Sequence, residues 1–288
     1  MSSYPQNNRT YQIIHAAQAG KYAVGGFCVY NYDGVAAVVR AAEANNSPAL
    51  IQFFPWTIHF QGKHFIQFAA DLAHSAKVPI ALHLDHCIKP EDAEIALQLP
   101  FDSIMVDGSL FDEEGNIAYV KSIVQKAEKV GQTVEAELGR MEGGYKDVLE
   151  VAEGSGVFTE PEAAKKFVQE TGVHFLAPSF GNVHGPYPEP GAERWWQMDR
   201  LRRIREEVGD VCPLVLHGTA ISDDLLKKGI EAGFYKVNQN KMVRRRYMKF
   251  LAEEAGKYEL TDLQEKGVQI YAEEIGEMMK LLGSVGKA

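Results

Sequence analysis

Cysteine is scarce in this chain: three in 288 residues, Cys28, Cys87 and Cys212, widely spaced and odd in number. That argues against a disulfide framework and a paired-cysteine metal site, and it fits a reducing compartment. Basic charge is in deficit as well, with 30 lysines and arginines against 39 aspartates and glutamates and a formal charge of -9. Such a balance opposes binding to phosphate backbones or acidic membranes, so nucleic acid is set aside as a partner. Long apolar runs are missing too. No stretch reaches the roughly 18 residues of a membrane span, and the N-terminus MSSYPQNNRT has no apolar signal core. The expectation is a soluble cytoplasmic protein with no membrane partner. Disorder is excluded in turn, because 45% hydrophobic and 24% charged residues are ordinary for a chain with a full core.

What is present is organised around PIALHLDHC, Pro79 to Cys87, in which an apolar run, Pro79 to Leu84, discharges into Asp85 and His86 and predicts a strand from Pro79 to Asp85. Ionisable residues just past a strand end are the mark of the catalytic rim of an α/β sheet or barrel. Alternation puts His83 and Asp85 on one side of that strand and Leu84 and His86 on the other until the chain leaves the sheet. Seven further runs have the same length: Ala23 to Tyr30, Pro48 to Phe54, Ser103 to Gly108, Thr133 to Gly139, His174 to Phe180, Cys212 to Gly218 and Tyr235 to Gln239. Helical patterns separate them: Asp33 to Asn45, Lys63 to Ala76, Pro90 to Leu99, Asn116 to Val130, Glu160 to Thr171, Glu193 to Val208 and Ser222 to Ala232. Pro90 and Pro161 suit first turns, Asp33 and Ser222 suit caps, and Gly131, Gly172, Gly209 and Gly233 suit helix ends. Eight strands with intervening helices predict a single α/β domain over 1–288, a closed TIM (β/α)₈ barrel. A doubly wound open sheet fits less well, since Gly25 and Gly26 lie inside the first strand and not in a turn after it. Thr261 to Leu282 adds a C-terminal helical segment that covers the barrel or packs on a second subunit. The connections Arg140 to Thr159 and Asn182 to Ala192 are longer than usual, as functional loops are.

Residues at or beyond the strand ends then form a constellation. They are Asp85 and His86 on the third, Asp107 on the fourth, Glu137 on the fifth, His184 beyond the sixth, His217 on the seventh and Asn238 on the eighth. A barrel brings these distant positions to one rim. Three imidazoles with carboxylates suit a borderline metal such as zinc, with an open position for substrate.

The segments ALHLDH, SIMVDGS, VEAELG, TGV to NVHG, LVLHG and YKVN occur in an order and spacing that resembles class II, metal-dependent ketose-bisphosphate aldolases, from about Ala23 to Asn238. The resemblance implies reversible retro-aldol cleavage of a sugar phosphate, with fructose 1,6-bisphosphate the default. It implies one zinc ion per subunit on His86, His184 and His217, with Glu137 approaching the metal, and it admits a monovalent cation. Asp85 matches the acid that exchanges a proton with the oxygen across the cleaved bond, and Asn238 a residue near the donor. Asp107 takes a position behind the ligands or at a second metal. A homodimer or homotetramer is implied as well.

Departures from the family pattern fall on substrate contacts. The seventh-strand loop reads His217-Gly218-Thr219-Ala220-Ile221 where HGGSG or HGASG is usual, and the eighth strand runs into Asn238-Gln239-Asn240-Lys241 in place of NIDT or NIAT. Gly218, Thr219, Asn240 and Lys241 are therefore the candidates for holding phosphate. Cys28 and Phe54 stand where asparagine and serine are common, and Phe54 narrows or dries the pocket. After Gly143-Gly144 come Tyr145, Lys146 and Asp147, not the usual Glu-Asp, which leaves two readings of Glu142: a substitute carrier of the donor proton or a solvated loop charge. Arg244, Arg245 and Arg246 are read as a solvated or subunit-facing stripe, with one of them reaching substrate phosphate as the alternative. Two rival chemistries lack their residues: the sixth strand has no lysine for a Schiff base, leaving Lys236 of the eighth, and the first strand has no histidine for an amidohydrolase pair. A metal lyase on another polyol or keto acid, and a metal-binding barrel without catalysis, are the remaining alternatives.

Overall fold

A computed structural model of the chain describes residues 3–145, 148–152 and 154–288. In chain order the strands are β1 (Val24–Cys28), β2 (Ala49–Phe53), β3 (Ile80–Cys87), β4 (Ser103–Val106), β5 (Thr133–Leu138), β6 (Glu142–Tyr145), β7 (Val148–Val151), β8 (Phe175–Pro178), β9 (Val183–His184), β10 (Leu214–Leu216) and β11 (Phe234–Gln239). Eight of them close into a barrel in the order β1, β11, β10, β8, β5, β4, β3, β2, and their pairings are parallel. These are the eight strands expected from the apolar runs. The remaining three, β7, β6 and β9, form a small sheet within the two long connections.

The helices are α1 (Arg9–Gly20), α2 (Tyr32–Asn45), α3 (Pro55–Gln61), α4 (Lys63–His74), α5 (Pro90–Ala96), α6 (Glu113–Val130), α7 (Pro161–Thr171), α8 (Ala192–Trp195), α9 (Met198–Val208), α10 (Asp223–Glu231), α11 (Arg245–Glu254) and α12 (Leu260–Leu282). Pro90 and Pro161 occupy first turns, and Ser222 caps α10 by accepting from the Leu225 amide. Asp33 is not the cap of α2. Asn31 accepts from the Gly34 amide instead, and the Asp33 carboxylate takes hydrogen bonds from Tyr247 and Gln264. The stretch expected as one helix from Glu193 is split into α8 and α9. α12 packs on α2 and α11 and buries Ile275, Met279 and Leu282, so the extra segment covers the barrel. Among the described residues no helix is long and apolar enough to cross a membrane.

α1 lies outside the helical patterns expected from the sequence. Asn8 caps it by accepting from Tyr11, and the Asn8 amide also donates to the carbonyls of Asp102 and Gly131, which precede β4 and β5. Ile13 and Ala17 pack on Val24, Leu50 and Ala81, while Ile14 meets Phe175, Ala177 and Val215. The helix therefore plugs the end of the barrel where strands begin. Above that apolar plug the interior turns polar, with Ser103, His83, Glu135 and Lys236 all fully buried, and the open end carries the site.

Candidate metal and active site

The end of β3 sets the geometry. Strict alternation would turn His86 away from Asp85, yet both line one cavity of about 330 Å³. His86 has φ 52°, and the pairing of β3 with β4 shifts between Leu84 and Cys87. The strand thus runs two residues past its expected end and kinks there, so that consecutive side chains share a face. A non-glycine residue in the left-handed region is uncommon, and such positions cluster at functional sites.

Ligand atoms of His86, Glu137, His184 and His217, all buried, lie within 4.8 Å of one another. The three imidazole centroids are 5.0, 4.9 and 5.7 Å apart. Two rings are oriented from behind: His86 Nδ1 lies 3.0 Å from Asp107 Oδ2, and His217 Nε2 lies 2.8 Å from Glu135 Oε1. Each such partner fixes a tautomer and leaves the opposite nitrogen for a ligand role. His217 Nδ1, His184 Nε2 and Glu137 Oε2 are buried with no hydrogen-bond partner. Buried polar atoms are nearly always satisfied, so this set of converging orphans fits a divalent cation bound by nitrogen and oxygen donors.

Electrostatics agrees. Burial lowers His86, but the carboxylates of Asp85, Asp107 and Glu137 outweigh it and raise the imidazole to about 9. Burial, with the neighbouring His86 and His217, holds His184 well below its ordinary value and therefore neutral. Burial and the Asp107 carboxylate push Glu137 well above the usual range. A cation among these groups relieves the crowding of negative charge.

Beside the metal cluster, Asp85 is held asymmetrically. Its Oδ2 accepts from Gln52 Nε2 at 2.7 Å and from Asn238 Nδ2 at 3.1 Å, whereas the buried Oδ1 has no hydrogen-bond partner. Both amide donors are spent on one oxygen, while the other lies 3.9 Å from His83 Nε2. The Asn238 amide is fixed in turn by Lys236 Nζ, 2.8 Å from Oδ1. Lys236 is fully buried beneath the cavity and also pairs with Glu135 Oε2 at 2.8 Å, so it presents no nucleophile to substrate. His83, Asp85 and Glu135 form a second histidine and carboxylate cluster, with the Lys236 ammonium already among them.

Gly218, Thr219, Asn240 and Lys241 line the same cavity, so the expected phosphate candidates are brought to the site. The Thr219 hydroxyl, however, donates to the Asn238 carbonyl at 2.6 Å. Gly218 has φ 74°, and a Cβ there would lie 2.4 Å from the Val183 carbonyl. Its glycine is demanded by the close approach of the two loops. Cys28 and Phe54 pack together as an apolar wall, and Phe54 stacks on His86 with ring centroids 6.2 Å apart.

Glu142 is held elsewhere: its Oε1 accepts from the amides of Gly154 and Gly156. It sits on β6, whose Gly143 pairs with His184; a Cβ on Gly143 would come 2.1 Å from the His184 carbonyl. Lys146 and Asp147 lie outside the described residues. Of the arginine run, Arg246 pairs with Glu277 and Arg245 with Glu274, while Arg244 stacks over Tyr30. Sequence reasoning missed Gln52, Glu135 and the structural part of Lys236. Their signal was available, because a charged or amide side chain inside an otherwise apolar strand of a parallel sheet has to be paired or functional.

Comparison with known proteins adds an independent line. A family model described as fructose-bisphosphate aldolase class-II matches residues 8–287. A protein of Coccidioides immitis provisionally named fructose-bisphosphate aldolase is 39% identical over 98% of this chain and 96% of its own. The fructose-bisphosphate aldolase of Thermus caldophilus is 32% identical over 96% and 98%. Among solved structures, one from Coccidioides immitis superposes with a TM-score of 0.93 at 39% identity, covering 98% of both chains. The YdjI aldolase of Escherichia coli K12 does so with a TM-score of 0.84 at 31% identity, covering 97% and 98%.

Proposed function

The chain belongs to the class II fructose-bisphosphate aldolase family, and on that premise we propose that it cleaves fructose 1,6-bisphosphate reversibly to glycerone phosphate and glyceraldehyde 3-phosphate. One zinc ion per subunit would be held by His86, His184 and His217, with Glu137 as a further oxygen donor. When bound, the ion stabilises the negative charge that develops on the donor carbonyl oxygen as the carbon-carbon bond breaks. Asp85 takes the hydroxyl proton from the acceptor side during cleavage and returns it during condensation. Its Oδ1 is the reacting oxygen, because Oδ2 is committed to Gln52 and Asn238.

The observation that carries this reading is that Asp85 lines the same cavity as the converging imidazoles while its Oδ1 has no hydrogen-bond partner. A metal site with a purely structural role has no use for an unsatisfied carboxylate oxygen beside it. Lys241, Asn240 and the amides around Gly218 and Thr219 bind the substrate phosphate at the ends of β10 and β11. Phe54 and Cys28 face the carbon skeleton and keep water from Asp85. Glu142 carries the donor proton after leaving the amides of Gly154 and Gly156. The enzyme acts in the cytoplasm as a homodimer or homotetramer, consistent with three cysteines that are all buried and unbridged.

Turnover of fructose 1,6-bisphosphate by the zinc-loaded protein, read through a coupled dehydrogenase, tests the substrate. The 4-epimer, tagatose 1,6-bisphosphate, serves as comparator. Cleavage of the fructose isomer at the higher kcat/KM is expected. Cleavage of neither bisphosphate rejects the proposal.

A further inference from the structure

The barrel interior beneath the cavity holds a lysine that the reaction itself does not use. Lys236 Nζ has three acceptors on three strands: Glu135 Oε2 on β5 at 2.8 Å, Asn238 Oδ1 on β11 at 2.8 Å and His83 Nε2 on β3 at 3.4 Å. Three donors meet three acceptors, and the residue is fully buried. Each acceptor leads somewhere. Glu135 uses its other oxygen to hold His217 Nε2 at 2.8 Å, which turns His217 Nδ1 toward the metal cluster. Asn238 uses its amide nitrogen to hold Asp85 Oδ2, while Oδ1 has no hydrogen-bond partner.

We infer that Lys236 is a positioning residue that couples the two halves of the site, orienting the metal ligand His217 through Glu135 and the acid-base Asp85 through Asn238. The inference rests on the metal and Asp85 roles proposed above. The physical reason lies in the cost of burial. An ammonium in the barrel interior is tolerated only when its charge is balanced and its donors are all used, so its neighbours are held in one arrangement. Glu135 gives one oxygen to each partner, Oε2 to the Lys236 ammonium and Oε1 to His217 Nε2. Glu135 therefore stays an acceptor for both partners. Burial and Lys236 bring His83 down to about 3, and the neutral ring donates from Nδ1 to Ser103 Oγ, 2.7 Å away, leaving Nε2 to accept. A ring, a carboxylate and an amide on three different strands are thus set by one side chain.

Two variants separate positioning from plain charge balance. Lys236→Met should weaken zinc binding, measured by competition with a chromogenic chelator, and should lower kcat with little change in KM. Each effect should be about 10- to 100-fold, the usual weight of a group that orients ligands. Glu135→Gln combined with Lys236→Met removes both charges together, while the introduced glutamine keeps an acceptor for His217. In this double variant zinc affinity should return to that of the wild type, while kcat stays low because Asn238 is still unanchored. Asn238→Ala should then lower kcat by a smaller factor in the double variant than in the wild type, since the coupling through Asn238 has already been lost. If circular dichroism shows the single variant unfolded, the double variant carries the test. Wild-type kcat in the double variant, or unchanged zinc affinity in a folded Lys236→Met, overturns the inference. Failure of the wild-type protein to cleave any ketose phosphate would overturn the proposed function instead, and the zinc-affinity arm remains readable without a substrate.

Discussion

His86 turns into the same cavity as its sequence neighbour Asp85, because its backbone lies in the left-handed region at φ 52°. The proposed acid-base group and a proposed metal ligand are therefore adjacent in both sequence and space. Asp85→Asn should keep zinc binding and thermal stability while lowering kcat by roughly 10² to 10⁴, the usual weight of a positioned acid or base. Zinc affinity and kcat, measured on the same preparation, check it. Loss of zinc together with activity would make Asp85 an orienting partner of the ligands instead.

Lys241 offers the one lysine ammonium in the lining of the cavity among the described residues. Lys241→Ala should raise KM for fructose 1,6-bisphosphate about 10- to 100-fold, the equivalent of ~1.5–3 kcal/mol for a hydrogen bond to a charged group. It should leave kcat nearly unchanged, since phosphate binding is common to ground and transition states. Steady-state kinetics separates this from a fall in kcat at constant KM.

Glu142 carries a different signature. If it moves the donor proton, Glu142→Gln should slow exchange of the glycerone phosphate methylene protons with solvent deuterium, followed by NMR, by at least about 10². Zinc binding should not change. Exchange at the wild-type rate would keep Glu142 as the partner of the Gly154 and Gly156 amides.

Acid stability follows from a group far from the metal. Burial lowers His174 to about 4, while its Nδ1 accepts from the Val134 amide and Tyr4 lies 3.0 Å from Nε2. The unfolded chain, with histidine near 6.5, binds more protons than the folded one in this window. Stability should therefore fall as pH falls from about 6.5 to 4, and level off for this group below that. His174→Asn, which keeps an acceptor near Val134, should flatten the dependence of Tm on pH between those values. An unchanged slope would assign acid sensitivity to other groups.

Much of this is legible from the sequence, for physical reasons that can be named. The eight strands announce themselves because parallel strands covered on both faces are continuous apolar runs, and the residues at their ends stand out as ionisable groups in apolar surroundings. α1 hides behind a polar N-terminus, although Ile13, Ile14 and Ala17 recur at helical spacing behind Asn8. The side of β3 that His86 faces is not legible, since it depends on one backbone dihedral and a register shift. Nor is the use of the Thr219 hydroxyl on the Asn238 carbonyl, which only the approach of two loops determines. Glu135 and Lys236 are visible as charges within strands, but their pairing is made across the barrel interior by two strands, β5 and β11, that are not neighbours in the sheet.

In the proposed reaction turnover depends on one metal ion, which His86, His184 and His217 would hold beside Asp85. Titrating zinc back into chelator-stripped enzyme while following fructose 1,6-bisphosphate cleavage tests it most directly. Activity should rise from near zero in proportion to zinc and saturate at one equivalent per subunit, and His184→Ala should show no such rise. Full activity in the stripped enzyme, or a zinc-dependent rise that survives in His184→Ala, would contradict it.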